Sequence, residues 1–342
     1  MTALKLCLIL ALSVPFAHAQ KPAPPDDGGL RTLPGPGEDP EPGPRRVSRI
    51  ETFLAHGDYD RLETIVARLR AEKTRAPGGG WVLKTFYAQL NPKETDEQLL
   101  TVHRQQIEAW IKQKPESITA RVALAEFYID YAWVARGNAQ SDKVPDSAWP
   151  LFQERAKKAE EVLHDAIKLD QKCPEWYSAL QTVALAEDWD KDRARKLFEQ
   201  AIKFEPDYPY YYIRYANYLL PKWDGSEKES LDFIRKASDN RGGEAGDILY
   251  FQIATVLVTR NNGQFRPQLD WERLQHGHMA LETAYGAANA EQNQFALMAI
   301  RFKDAATASK EFAIIGDKWS RGVWKTRAAY EKARDWAANN AG

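Results

Sequence analysis

Three segments of the chain repeat one pattern: AEEVLHDA at 159–166, ARKLFEQA at 194–201 and SLDFIRKA at 230–237. In each segment a small residue, a larger apolar residue four positions on and an Ala three positions further share one face of a helix. The segments begin about 35 residues apart, a period typical of stacked helical hairpins. The pattern therefore predicts an all-α fold made of stacked helix pairs, an architecture whose extended surfaces bind other chains.

The charge balance and the aromatic content of the chain bear on its partners and on its core. The 342 residues include 47 Lys and Arg against 48 Asp and Glu, so the formal net charge is −1. This balance gives no indication of nucleic acid or an anionic membrane as a partner. The chain also contains 11 Trp and 14 Tyr, which predicts a core rich in aromatic side chains.

Residues 1–19 have the features of a signal peptide. Lys5 precedes an apolar run over 6–16 that is too short to span a bilayer. The Ala-His-Ala sequence at 17–19 places small residues where signal peptidase reads the chain, so we expect cleavage after Ala19. The sequence therefore predicts bacterial export to the periplasm or the extracellular space, with no stable membrane insertion after cleavage.

Four regions are expected after the signal peptide. Residues 20–45 are rich in Pro and Gly and nearly free of large apolar residues, which indicates a disordered tether. Residues 46–150 form an N-terminal helical part, and residues 151–260 hold the repeats. Residues 261–342 form a C-terminal helical part that matches the repeat pattern poorly, as terminal units of a stack often do.

Several helix boundaries can be predicted from capping and breaking residues. Ser117 or Thr119 is expected to cap a helix that runs to Arg136. Further helices are expected near 247–259 and, as one uninterrupted element, near 319–338.

The repeat residues resemble a known family. Ala194, Phe198, Ala201 and Pro206 fit the second helix and closing proline of a tetratricopeptide repeat. The resemblance implies a tetratricopeptide-like α-solenoid in which Phe198 fills the gap between helices. It also implies first-helix packing positions in the next unit, at Tyr212, Tyr215, Ala216 and Leu219.

A longer resemblance spans roughly residues 50–225. It rests on four motifs: Gly79-Gly80-Trp81 with Phe86-Tyr87, residues 131–137 (YAWVARG), Pro174-Glu175-Trp176, and residues 215–221 (YANYLLP). Together these look like the bacterial domain of unknown function number 4034. This resemblance implies a helical-repeat fold and transfers no catalytic residue.

Six residues are candidates for contact with a partner. In tetratricopeptide-like stacks the first helix of each pair lines the concave face, and the corresponding positions are Ser178, Thr182, Tyr210, Ile213 and Asn217, with Arg214 nearby. An amide and a guanidinium can hold a peptide carboxylate or backbone, while tyrosines add apolar contact. The alternative is that the six tyrosines of 208–218 serve mainly for packing between helices.

Aromatic and acidic residues leave a second possibility open. Trp189, Trp223 and Trp271 follow Asp188, Asp224 and Asp270 near expected helix starts, where Asp is first an N-cap candidate. Pairs of carboxylates beside tryptophans also occur in glycan-cleaving sites. Arg136 lies between Trp133 and Trp149 in sequence, which indicates either a cation–π packing contact or a sugar platform.

No catalytic, cofactor or metal site can be assigned from the motifs. His276 and His278 are two residues apart, whereas two ligands on one helix face need a spacing of three or four. Cys173 is the only cysteine after cleavage, so it can form neither an intramolecular disulfide nor a cysteine zinc site. The sequence therefore predicts a non-enzymatic exported scaffold that binds a protein or peptide, without a cofactor. A glycan-binding protein or glycan hydrolase of the envelope is the alternative.

Overall fold

The computed structural model describes residues 48–91, 95–137, 144–223, 225–261 and 268–342. The predicted signal peptide and tether lie outside these residues. The regular elements of the described residues are sixteen α-helices and two short 3-10 turns, Pro77–Gly79 and Pro221–Trp223. The helices are α1 Arg49–His56, α2 Tyr59–Glu72, α3 Val82–Leu90, α4 Glu97–Gln113, α5 Ile118–Arg136, α6 Ala148–Ala166, α7 Pro174–Ala186, α8 Lys191–Phe204, α9 Pro209–Tyr218, α10 Glu227–Arg241, α11 Gly243–Arg260, α12 Trp271–Tyr285, α13 Asn289–Arg301, α14 Ala305–Ile315, α15 Arg321–Trp324 and α16 Arg327–Asn340. The predicted all-α class is confirmed for this part of the chain.

The helices pack in order along the chain. From α4 to α14 most helices contact the next one, and short connections make such neighbours antiparallel pairs. Each odd-numbered helix from α1 to α13 also contacts the next odd-numbered helix. We call these helices the odd-helix row. The row brings side chains that are far apart in sequence onto adjoining helices.

The three repeated segments lie on α6, α8 and α10, the second helices of successive pairs. All nine repeat positions are buried: Ala159, Leu163, Ala166, Ala194, Phe198, Ala201, Ser230, Ile234 and Ala237. Phe198 stacks on Tyr215, with 4.7 Å between ring centroids, and meets Phe233 edge to face at 5.2 Å. The predicted role of this pattern in helix packing is therefore confirmed.

Helix starts follow the capping rules with one correction. The Ser117 hydroxyl accepts from the Ala120 amide at 2.9 Å, and Asp270 caps α12 as predicted. The prediction for Asp188 is wrong, since Asp190 caps α8. An N-cap needs an extended backbone, which Asp190 has, whereas Asp188 has a left-handed φ of 52°. The third candidate, Asp224, lies outside the described residues.

Two helix predictions in the C-terminal half have wrong boundaries. The region 319–338 contains two helices, because Lys325 has a φ of 66° and ends α15 before Thr326 caps α16. Helix α11 begins at Gly243, earlier than expected. Gly242 alone separates it from α10, and its φ of 67° allows the sharp reversal.

The loop 74–82 joins distant parts of the fold. It is closed by hydrogen bonds from the Val82 amide to the Thr74 carbonyl, at 3.0 Å, and from the Ala76 amide to the Gly80 carbonyl, at 2.8 Å. At its tip the Gly78 amide donates to the Gly286 carbonyl at 2.9 Å. The loop after α2 is therefore also a contact with the segment between α12 and α13.

None of the helices in the described ranges combines the length and hydropathy needed to cross a bilayer.

Candidate functional site

The six candidate residues lie on two adjoining helices of the odd-helix row. Ser178 and Thr182 are on α7, and Tyr210, Ile213, Arg214 and Asn217 are on α9. The Arg214 Nε donates to the Ser178 hydroxyl at 2.9 Å, and its Nη1 donates to the Thr182 hydroxyl. Ser178 and Thr182 are four residues apart on α7, so one helix face presents both acceptors to one guanidinium.

Burial divides the six residues into two groups. Ser178 is fully buried and Ile213 is 7% exposed, so both lie in the packed interior. Thr182, Tyr210, Arg214 and Asn217 are half-buried and keep some surface. Contact with a partner stays a prediction for all six residues.

Tyr210 is engaged by the chain's own loop. The backbone of Trp81 hydrogen-bonds its hydroxyl, and Gly80 lies against the same oxygen. Burial, more than any nearby charge, raises the pKa of Tyr210. The loop 74–82 therefore covers this end of the α9 surface, whereas the sequence predicted an open inner face.

The Arg214 guanidinium is held by neutral groups. Among the described residues no carboxylate lies within ion-pair distance of it, and its two side-chain partners are hydroxyls. Arg260, at the end of α11, approaches the same region: surrounding protein lowers its pKa most, and the positive charge of Arg214 lowers it further. The pKa of Lys222 is lowered as well, first by the surrounding protein and then by the positive charge of Arg260. The surface beside Arg214 therefore gathers three cationic side chains.

A buried charge network lies beside this surface, and sequence reasoning missed it. Lys84 on α3 donates through Nζ to Glu175 Oε1 at 2.6 Å and lies 3.5 Å from Glu126 Oε1. The Tyr208 hydroxyl donates to the other oxygen of Glu175. Glu175 is fully buried and Glu126 is 4% exposed. The only signal in the sequence was that Lys84, Glu126 and Glu175 are charged residues on otherwise apolar helix faces.

The two carboxyl groups of the network influence each other and have opposite pKa shifts. Burial raises the pKa of Glu175. Burial also acts on Glu126, but the charges of Lys84 and Arg214 prevail and lower its pKa. The same two carboxylates raise the pKa of Lys84 against the effect of its burial. Glu126 is thus the more acidic partner, and Lys84 neutralises it.

This carboxyl pair does not have the geometry of a glycosidase. Such enzymes separate two carboxyl groups by roughly 5–9 Å, so that the scissile sugar linkage fits between them. Glu126 and Glu175 are both buried, and the Lys84 ammonium lies 3.5 Å from one and 2.6 Å from the other, so the space between them is taken by the chain's own cation.

The tryptophans singled out in the sequence serve in packing. The Arg136 guanidinium lies 5.2 Å from the Trp133 ring and 5.3 Å from the Trp149 ring, so the predicted cation–π contact is confirmed. The Arg193 guanidinium lies over Trp189, and Trp271 stacks on Phe302, with 5.1 Å between centroids. These contacts account for four of the five tryptophans that had suggested a glycan-binding or glycan-cleaving site.

The His278 and Cys173 side chains are both buried, and the His278 Nε2 lies 3.7 Å from Glu282 Oε1. His278 stacks on Phe295 with 4.0 Å between ring centroids, and burial lowers its pKa to about 4. Cys173 is buried with its Sγ 3.3 Å from the Tyr87 hydroxyl, and burial raises the pKa of the thiol, which disfavours a reactive thiolate. Within the described ranges no three His, Cys, Asp or Glu side chains are placed to hold a metal ion.

Comparison of the chain with known protein families, with curated proteins and with solved structures finds no match.

Proposed function

We propose that this chain is an exported, non-enzymatic scaffold that binds a protein or peptide through the odd-helix row. In this proposal the stacked pairs form a tetratricopeptide-like α-solenoid, and Thr182, Arg214 and Asn217 lie on its concave face. Export by a cleaved signal peptide and relation to the domain of unknown function number 4034 are parts of the same proposal.

The observation that carries the proposal is the environment of Arg214. Its guanidinium is fixed by hydrogen bonds to Ser178 and Thr182, and in the described residues no carboxylate pairs with it. A guanidinium that is already oriented loses little conformational entropy when a ligand binds. Its hydrogen-bond partners are neutral and, among the described residues, only the buried Glu126 and Glu175 offset part of its charge, so the guanidinium can still attract an acidic group of a peptide.

Charge around Arg214 sets the expected ligand. The positive charges of Arg260 and Lys222 lie on the same side, and their lowered pKa values show that nearby protein and like charge destabilise them. An acidic peptide would relieve this destabilisation. Asn217, one turn beyond Ile213 on α9, would add an amide that can pair with the peptide backbone.

A displayed library of random peptides tests this function. Selection on the wild-type chain should enrich peptides with Asp, Glu or a free carboxyl terminus, and selection on Arg214→Gln should lose that enrichment. Arg195→Gln is the matched control, since Arg195 is exposed on α8 and pairs only with Asp192 among the described residues. Enrichment of the same peptides by wild type and Arg214→Gln, or no enrichment by the wild type, would refute the proposal.

A further inference from the structure

A second cleft opens where the loop 74–82 meets the C-terminal helices. Its walls come from five places in the chain: this loop, the α8–α9 connection, the start of α9, the α10–α11 junction and the end of α12. Its volume is about 250 Å³, enough for one large side chain with its backbone carboxylate. None of the six candidate residues on α7 and α9 lines it.

Two guanidinium groups face one carboxylate in this cleft. Arg241 forms an ion pair with Asp207. Arg75 instead donates to two backbone carbonyls, to Asp207 at 2.8 Å and to Gly79 at 3.1 Å, and lies 4.2 Å from the Trp81 ring centroid. Among the described residues no carboxylate is within ion-pair distance of Arg75. The cleft thus has one more positive charge than negative charge on its walls.

Apart from the polar Gln252, the remaining walls are apolar or aromatic. They include Tyr212, Ile248, Leu249 and Tyr285. Tyr285 is 37% exposed, and its ring lies 5.8 Å from the Arg75 guanidinium. The cleft therefore combines a cationic end with an apolar body.

We propose that this cleft binds a carboxylate attached to a large apolar side chain, the chemistry of a polypeptide's C-terminal residue or of a free aromatic acid. Arg75 and Arg241 hold the carboxylate in a charge-assisted contact, and the side chain lies between Ile248 and Tyr285. This site is separate from the Arg214 surface and does not depend on the function proposed there.

The electrostatics of Arg75 agree with such a ligand. Burial lowers the pKa of Arg75 more than any nearby group raises it, which means that the protein around the cleft destabilises the charged guanidinium. A bound carboxylate would offset this destabilisation, whereas a neutral ligand of the same shape would not.

Calorimetric titration of the full chain tests the site with three probes. These are N-acetyl-phenylalanine, the tetrapeptide acetyl-Ala-Ala-Ala-Phe with a free carboxylate, and the same tetrapeptide as a C-terminal amide. We expect saturable binding of the free acids with a dissociation constant of about 1 mM or lower, and at least about tenfold weaker binding of the amide. Tighter binding of the tetrapeptide than of the small acid would identify a polypeptide end, and equal binding would identify a small acid.

Ala245→Trp locates the binding. Ala245 lines the cleft and is exposed, so a Trp there fills the space without disturbing the core, and the free acids should bind at least about tenfold more weakly. Asn240→Trp is the matched control, since Asn240 is exposed and does not line the cleft. The proposal is overturned if no acid binds, if acid and amide bind equally, or if Ala245→Trp binds as the wild type does.

Discussion

Trp81 and Tyr208 meet edge to face, with 5.0 Å between their ring centroids, although one follows α2 and the other precedes α9. The Trp81 indole also donates to the Asp207 carbonyl at 3.0 Å. Trp81 is fully buried in this contact. The pair therefore fixes the N-terminal helices against the middle of the row, and the glycines beside Trp81 determine how closely the loop can approach.

Gly78→Ala should destabilise the protein more than Gly57→Ala does. Both glycines have a left-handed backbone, with φ values of 75° and 70°. A Cβ on Gly78 would lie 2.9 Å from the Ala288 Cβ, whereas one on Gly57 would find no atom nearer than 3.8 Å. We expect a loss of about 1 kcal/mol at Gly57 from the backbone alone, and a further 1–3 kcal/mol or so at Gly78 from overpacking. Urea unfolding measures the free energy of unfolding of both variants. Equal losses would contradict a tight contact between Gly78 and Ala288.

Lys84→Met should destabilise the protein by about 3–5 kcal/mol, because it leaves Glu126 and Glu175 buried without their cation. Adding Glu175→Gln should recover part of this loss by removing one carboxylate. The loss in Lys84→Met should also shrink as the pH falls and the carboxylates bind protons. A double variant no more stable than Lys84→Met would show that the network does not act as one unit.

Glu311→Gln should stabilise the protein at pH 8 and not at pH 4. Burial raises the pKa of Glu311 from 4.5 to about 7, with a smaller contribution from Glu282. A raised pKa means that the folded state favours the protonated acid, so stability is full below pH 4.5 and falls as the pH rises through 7. The gain at pH 8 is on the order of 3 kcal/mol. Thermal melts check it, with the exposed Glu272→Gln as the control for loss of one charge.

His278→Phe should stabilise the protein on the acid side. Burial lowers the pKa of His278 from 6.5 to about 4, so the stability present above pH 6.5 falls as the pH drops toward 4. A Phe keeps the stacking on Phe295 and does not titrate. We expect a gain on the order of 3 kcal/mol near pH 4 and little change at pH 8. Identical pH profiles of variant and wild type would refute a neutral, buried imidazole.

His278 and Glu311 act in opposite directions between pH 4.5 and 6.5. In this window a rise in pH adds stability through His278 and removes it through Glu311. The free energy of unfolding of the wild type should therefore vary little with pH in this window. In each single variant it should change with pH in the direction set by the residue that remains.

The helix stack could be predicted from local patterns because its signals are local. Small and apolar residues on α6, α8 and α10 recur at helical spacing, and every one of those nine positions is buried. Capping residues such as Ser117 act on amides within one turn, so they too can be identified without tertiary structure.

The loop contacts and the charge network could not be predicted, because neither follows from sequence spacing. Pro77 and the glycines after it indicate a turn whatever the turn packs against. Lys84, Glu126 and Glu175 come from three helices, and no sequence spacing relates one to another. Only the order of the odd-helix row brings them together. Of the six candidate residues, the sequence placed all on one surface but could not show that Ser178 and Ile213 are interior.

The contact of the loop 74–82 with residues 207–291 also constrains how the protein can fold during synthesis. A chain made from its N-terminus presents Trp81 long before Asp207, Tyr208 or Gly286 has been added. Until then the indole has no native partner there and remains accessible to chaperones that bind apolar segments. The loop 74–82 is therefore among the last segments to reach its final packing, although α1, α2 and α3 can already pack on one another.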